Sequence, residues 1–440
     1  MRLDNWIAEK IKADGALSRK ELEDYQLKTL NELIKYVKEN SSFYRELYKD
    51  LEGINSLDEL YKIPIINSQD IIESGSKMIC VPQSEISRIV SIDTSGTMGQ
   101  YKRIYFTEQD QNLTIDFFVQ GLSLVVEKND IMMIMMPCQR ENSVGDLIKK
   151  ALINMDVTPI LNGVLLSFEK TTQLMIKNNV NSIVGMPVEI LALGRYIKEK
   201  RLPINIKSIL LSADTVNDTF VEEIRKIYDC DVYNHFGMTE TGLGGAVDCK
   251  YHKGMHIREN DLLMEIVNPI TKEILKDGES GEILITTLNR KAMPLIRYAT
   301  GDIASFNKGN CDCNSVLKRL NSIKYRKNDR VNLGKNIYIN INMIDSILFK
   351  LNNLMNYKID VKYYEDYNEL NLQLAFLSFD SKNTDINHNN ELKNKIKDLL
   401  LTNPRIKKSF EISNLKFNIK LIYSDEYINF YKGKRKITSN

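Results

Sequence analysis

Three short apolar runs, DIMMIMMP at 130–137, SIVGMP at 182–187 and IKSILLS at 206–212, punctuate the middle of the chain. Each is too short for a helix and is bounded by turn-forming residues, so each reads as a buried strand. The stretches Asp146 to Asn154 and Val188 to Lys200 carry apolar residues at helical spacing. With RIVSIDTS at 88–95 as the first run, the alternation predicts βαβ units and a largely parallel sheet, an α/β fold. Such sheets bind ligands beyond the carboxyl ends of their strands. Met136 and Cys138, after one run, and Gly185-Met186-Pro187, ending another, are therefore candidates to line a pocket, while Met132, Met133 and Met135 read as core.

Outward from this centre the texture changes. The first 60 residues read as amphipathic helices, as in LKTLNELIKYVKENSSFYRELY at 27–48. From Leu262 to Ile303, LLMEIVNP, the DGESG turn and GEILITTL predict a β-rich subdomain. Past Asn328 the chain becomes rich in Asn and Lys and mixes strands (KIDVKYY, LNLQLAFLS) with helices (IDSILFKLNN, NELKNKIKDLLL). The expected organisation is a large multi-subdomain domain over 1–328 and a small α+β domain over 329–440. DSKNTDINHNNE, at 380–391, reads as a solvated loop.

Bulk properties exclude more than they select. In 440 residues, 60 Lys and Arg face 58 Asp and Glu for a net charge of +2, too little to draw nucleic acid or a membrane surface. The apolar runs fall short of the roughly 20 residues a membrane span needs. The N-terminal stretch MRLDNWIAEKIKADG has acidic residues where a secretory signal has an apolar core, so a cytoplasmic location is expected. Six cysteines in so long a chain are too few for a disulfide scaffold. Of these, Cys80, Cys138 and Cys230 have no partner at metal spacing and read as small buried hydrophobes.

The segment Asp93-Thr94-Ser95-Gly96-Thr97-Met98-Gly99-Gln100-Tyr101-Lys102-Arg103 follows an apolar strand. Its glycines allow a tight turn, its hydroxyls can donate to phosphate oxygens, and Lys102 with Arg103 supplies compensating charge. It is a phosphate cradle without the Gly-Lys-Ser/Thr of a P-loop. Together with YNHFGMTETG at 233–242 and ITTLNRKAMPLIRYATGDIA at 285–304, in that order, it resembles the core motifs of the adenylate-forming superfamily, in particular the phenylacetate-CoA ligase-like proteins.

The resemblance implies ATP-dependent activation of a carboxylic acid to an acyl-AMP, then thioester formation with coenzyme A, using ATP and Mg2+. It assigns Thr94, Ser95, Gly96, Thr97, Gly99 and Lys102 to the phosphates. It also places Ser212-Ala213-Asp214 and Asn234-His235-Phe236-Gly237 around the adenine, with the Asn234 amide on the exocyclic amine and the Phe236 ring for stacking. Thr239 would donate to the α-phosphate and Glu240 would bind the magnesium. Asp302 would accept from the ribose hydroxyls, and Arg326 would reach ribose or phosphate. Asp329 would be the hinge, although Tyr325 and Asn328 replace the family's glycine and aspartate there. Lys434, in the terminal Tyr431-Lys432-Gly433-Lys434, would be the adenylating lysine, carried on a mobile lid.

Cys249, His252, His256, Cys311 and Cys313 cluster half the histidines and half the cysteines into CKYHKGMH and CDC. Three thiolates and one imidazole would complete a structural zinc site. The Cys-x6-His spacing in some of the resembled relatives selects Cys249 with His256, joined by Cys311 and Cys313. A second reading of the enzyme hands its acyl-AMP to a carrier protein or an amine, and a third is a degraded nucleotide-binding module. The resemblance also admits a homodimer. An aryl or other apolar acid is the expected substrate.

Overall fold

The computed structural model of the chain describes residues 2–93, 101–379, 386–431 and 434–439. The chain divides into two compact units, one of 1–128, 139–157 and 233–322 and one of 129–138, 158–232 and 323–440. The segment from 329 onward thus shares its unit with the central strands and helices of 158–232. No helix among the described residues is long and apolar enough to cross a membrane.

The first unit opens with helices Arg2–Ile11, Arg19–Asn40 and Ser42–Leu47. Ser18 caps the second of these in a capping box with Glu21, and Leu22, Leu30, Leu33, Ile34 and Val37 bury its apolar stripe. Strand Ile86–Asp93 does not enter the parallel sheet expected for it. It pairs antiparallel with Tyr101–Thr107, Asp93 lying opposite Tyr101. The physical reason is length, because a parallel crossover takes a dozen residues or more and the link between these strands is shorter. Strands Leu262–Val267, Gly281–Thr287 and Tyr298–Ala304 form an antiparallel meander, in keeping with the β-rich subdomain expected from the strand segments and turns of that region.

In the second unit, Ser208–Leu211, Ser182–Gly185, Ile131–Met135 and Thr158–Leu161 lie side by side in that order, all parallel. Helices Phe168–Lys177, Pro187–Glu199 and Asp218–Tyr228 belong to the same unit, and Met133, Ile183, Ile190, Ile209, Leu211 and Ile224 share one core. In the C-terminal part, Leu354–Tyr363 and Asn368–Leu377 pair antiparallel, flanked in parallel by Thr438–Ser439 and Leu415–Ser424. Helices Ile341–Leu348, Ile386–Leu401 and Pro404–Ile412 complete it. The loop expected over 380–391 is therefore helical from Ile386 on, and its first six residues lie outside the described residues. This helix buries only Ile396 and Leu400, so its first turns need no apolar residue and look like a loop in the sequence.

Candidate active site

In the first unit, strand Asp231–Phe236 runs into Gly237, where a Cβ would meet the Leu243 carbonyl oxygen at 2.1 Å, so only glycine fits. The short turn Thr239–Thr241 follows, with Glu240 buried on it. Its backbone is held from behind. Thr114 Oγ1 donates to the Gly242 carbonyl at 2.7 Å and Arg258 Nη2 to the Thr241 carbonyl at 3.1 Å. The Glu240 carboxylate forms an ion pair with Lys102, and the Tyr298 hydroxyl joins them, 3.1 Å from Lys102 Nζ and donating to Glu240 Oε1 at 3.3 Å. Ser68 Oγ stands 2.7 Å from the same hydroxyl. Burial alone would lower the Lys102 ammonium, but Glu240 and Tyr298 outweigh it and hold it above its ordinary value. Burial likewise raises Tyr298, so it stays protonated. Lys102 and Glu240, read separately in the sequence, are thus brought together, and Tyr298 and Ser68, to which no role was assigned, complete the group.

Around this turn, Asn234 is fixed by its backbone, which exchanges hydrogen bonds with Asp248 at 3.0 and 2.9 Å. Its side-chain Oδ1 is buried with no partner among the described residues. The His235 ring packs against Phe117 and Phe118, at 6.3 and 6.2 Å between centroids. Burial pushes it down to about 4, so it is neutral at ordinary pH. Phe236 is buried with Gly245 against its ring edge. Asp302 is also buried, after Gly301 at φ +78°, with its N–H donating to Thr300 Oγ1 at 3.0 Å. Thr94, Ser95, Gly96, Thr97 and Gly99 lie outside the described residues.

In the second unit, the ends of three neighbouring parallel strands assemble the remaining candidates. Met135 pairs with Gly185, and Gly185 with Leu211, while the Ser212 N–H donates to the Gly185 carbonyl at 3.0 Å. Met136 and Pro187 are buried, Met186 and Cys138 half-buried. Gly185 has no room for a side chain, since a Cβ would sit 2.9 Å from that of Met135. Cys138 and Cys230 are thus less enclosed than the sequence suggested, and only Cys80 among the three is fully buried. Ala213 takes a left-handed φ of +67°, and the half-buried Asp214, raised by burial, is opposed by the charges of Arg435 and Lys434. Arg326 and Asp329 are half-buried and Lys434 is exposed. Glu189 has no counterpart in the sequence reading. It lies two residues past Pro187 and is 1% exposed, with Oε2 accepting from the Leu165 N–H at 3.0 Å and Oε1 without a partner among the described residues. Burial lifts its carboxyl to about 7.

Cys249, His256, Cys311 and Cys313 converge in the first unit, with all four ligand atoms within 4.8 Å of one another. Cys249 Sγ is 3.6 Å from Cys311 Sγ, and Cys313 Sγ is 3.4 Å from His256 Nε2. Tetrahedral bonds of about 2.3 Å to sulfur and 2.0 Å to nitrogen place donors roughly 3.5–3.8 Å apart, so the set fits zinc. Burial pushes His256 down to about 4, the neutral form a metal needs. It pushes Cys249 up to about 12, whereas hydrogen bonds from the Cys313 backbone and the neighbouring thiols overcome burial at Cys311 and lower it. His252 stands apart from the cluster, against Tyr233 and Asp248.

These features define a nucleotide-handling α/β enzyme, and comparison with known proteins agrees. The family model for the AMP-binding enzyme matches residues 57–289. The chain belongs to that family, within the adenylate-forming superfamily and among its phenylacetate-CoA ligase-like members. It is 25% identical over 342 residues to the phenylacetate-coenzyme A ligase of Thermus thermophilus, covering 73% of this chain and 74% of that one. It is 24% identical over 330 residues to the enzyme of the same name from Pseudomonas putida, covering 72% and 73%. A crystal structure of 2-hydroxyisobutyryl-CoA ligase in the postadenylation state with 2-HIB-AMP shares the fold, with a TM-score of 0.80, 17% identity and coverage of 96% of this chain and 90% of that one.

Proposed function

We propose that the protein is an AMP-forming acid–thiol ligase. A substrate carboxylate oxygen attacks the α-phosphorus of ATP, the bond from that phosphorus to the bridging oxygen breaks, and pyrophosphate leaves with the electron pair. The thiolate of coenzyme A then attacks the acyl carbon, and AMP departs as the thioester forms. What carries this reading is the buried Lys102–Glu240–Tyr298 group behind the Thr239–Thr241 turn, in a chain of the AMP-binding family. Glu240 is a hard oxygen donor suited to the magnesium that accompanies ATP, and Lys102 is an ammonium that can exchange a carboxylate for a phosphate. Thr239 would donate to the α-phosphate. Asn234 Oδ1, an acceptor without a partner among the described residues, suits the adenine amine, and Asp302 suits the ribose hydroxyls. His235, neutral and packed among phenylalanines, would shape the adenine pocket by packing.

In this reading residues 329–440 act as a lid that turns about Asp329, with Lys434 delivered for adenylation and withdrawn for thioester formation. The acid is aryl or otherwise apolar and lies near Met136, Cys138 and Gly185-Met186-Pro187. Cys249, His256, Cys311 and Cys313 would hold a structural zinc, since all four positions are taken by protein. The enzyme would work in the cytoplasm, where ATP, coenzyme A and reduced thiols coexist. Pyrophosphate release from ATP and magnesium over a panel of aryl and aliphatic acids, with and without coenzyme A, tests the reading. Release stimulated by an acid and lost in Lys434→Ala supports it. Indifference to coenzyme A would move the acceptor to a carrier protein or amine, and absence of acid-stimulated release would sink the ligase reading.

A further inference from the structure

The end of the chain alternates in burial: Lys434 exposed, Arg435 buried, Lys436 half-buried, Ile437 buried. Such alternation places neighbouring side chains in different surroundings, so anchoring one residue constrains where the next begins. Arg435 is the anchor. Its Nη2 donates to Asp345 Oδ1 at 2.6 Å and its Nη1 to Oδ2 at 3.3 Å, a two-pronged pair with a residue of helix Ile341–Leu348. The Tyr357 hydroxyl donates to the same Oδ1 at 2.6 Å, and the guanidinium carbon stands 5.1 and 4.9 Å from the Phe349 and Tyr357 rings. Beyond it, Thr438 and Ser439 pair in parallel with Asp360 and Val361. Apolar pairs of similar volume often stabilise a fold as well as a buried ion pair does. Stability alone therefore does not account for it.

We propose that the Arg435–Asp345–Tyr357 clamp positions Lys434, fixing its backbone where the tail passes the Ser212-Ala213-Asp214 turn. The inference rests on the reading of Lys434 as the adenylating lysine. Lys434 and Arg435 both lie within electrostatic reach of Asp214, so the tail stands beside that turn. A lysine on a four-carbon stem is useful only where its base is held, because misplacement by about 1 Å costs on the order of a hundredfold in rate. Arg435, Asp345 and Tyr357 all fall in 329–440, so the clamp travels with the lid and aims the lysine whenever the lid returns.

The test uses the full-length protein, the acid selected by the pyrophosphate panel, and the variants Arg435→Met, Tyr357→Phe and the doubly neutral Arg435→Met with Asp345→Leu. The last removes both buried charges and guards against misfolding, which thermal melting checks. The expected result is a tenfold or greater fall in adenylation kcat with little change in KM for ATP. Thioester formation from chemically made acyl-AMP and coenzyme A should be unchanged, and adding Arg435→Met to Lys434→Ala should cost nothing further. Equal losses in both half-reactions, or no loss from the doubly neutral variant where Lys434→Ala abolishes release, would overturn the clamp while leaving the ligase reading intact. If Lys434→Ala itself leaves release untouched, the reading of that lysine falls and the clamp's role with it. Tryptic cleavage after Lys434 gives a readout independent of substrate. It should accelerate several-fold in the variants at unchanged melting temperature, and unchanged protection counts against the proposal.

Discussion

Lys102 and Glu240 are each almost enclosed, with side chains 11% and 3% exposed, and each answers the other's charge. Removing one partner leaves an uncompensated buried charge, which costs about 3–5 kcal/mol, whereas neutralising both costs far less. Lys102→Met should therefore lower stability by about that amount in urea melts, and the double variant Lys102→Met with Glu240→Gln should recover most of it. Glu189 behaves in the opposite sense. Its carboxyl is raised by burial from 4.5 to about 7, so the folded chain holds a proton that the unfolded chain has already released. Stability therefore falls as pH rises through that window, and the penalty is complete above about pH 7. Glu189→Gln should remove this slope. Its melting temperature should gain on the parent between pH 5 and pH 8, by up to on the order of 3 kcal/mol in stability; a constant difference across that range would refute the assignment.

At the scale of elements, the Cys/His cluster joins two segments that lie far apart in the chain. Strand Met255–Ile257 pairs with Arg319–Leu320, Arg319 opposite His256, which brings the stretch after Cys249 beside the Cys311–Cys313 turn. The protein as isolated should contain about one zinc per chain. Strong chelation or Cys311→Ser should lower the melting temperature by roughly 2–5 °C, as expected for a local site worth one or two kcal/mol in a large domain. Adenylation should survive, because the proposed chemistry uses none of these four residues. Metal-free protein that melts unchanged would leave three thiols and one imidazole with no ion to hold.

At the scale of the whole chain, Arg195 joins segments far apart in sequence, donating from helix Pro187–Glu199 to the Phe349 carbonyl at 2.6 Å and to the Leu354 carbonyl. Burial, only partly offset by the Glu223 carboxylate, lowers it to about 10, so it stays charged. If 329–440 is a lid, these bonds hold it in the arrangement described here. Arg195→Met should then speed tryptic cleavage in the stretch holding Lys324, Arg326, Lys327 and Arg330 several-fold, and cleavage at the parental rate would argue against a latch. Much of the molecule was legible beforehand. The parallel strands at 131–135, 182–185 and 208–211, the β-rich meander and the C-terminal α+β pattern follow from local periodicity, and the nucleotide turns from motifs a few residues long. A short link could also have revealed the antiparallel strand Ile86–Asp93, had its length been weighed. What the sequence could not show is which charges meet. Lys102 and Glu240 are 138 residues apart, Arg435 and Asp345 90, Cys249 and Cys311 62. Local pattern determines an element because its hydrogen bonds and apolar face are satisfied within a few residues. The partner of a buried charge is set by packing between distant segments, so the tertiary structure alone decided that Lys102 answers Glu240 and that Arg435 meets Asp345.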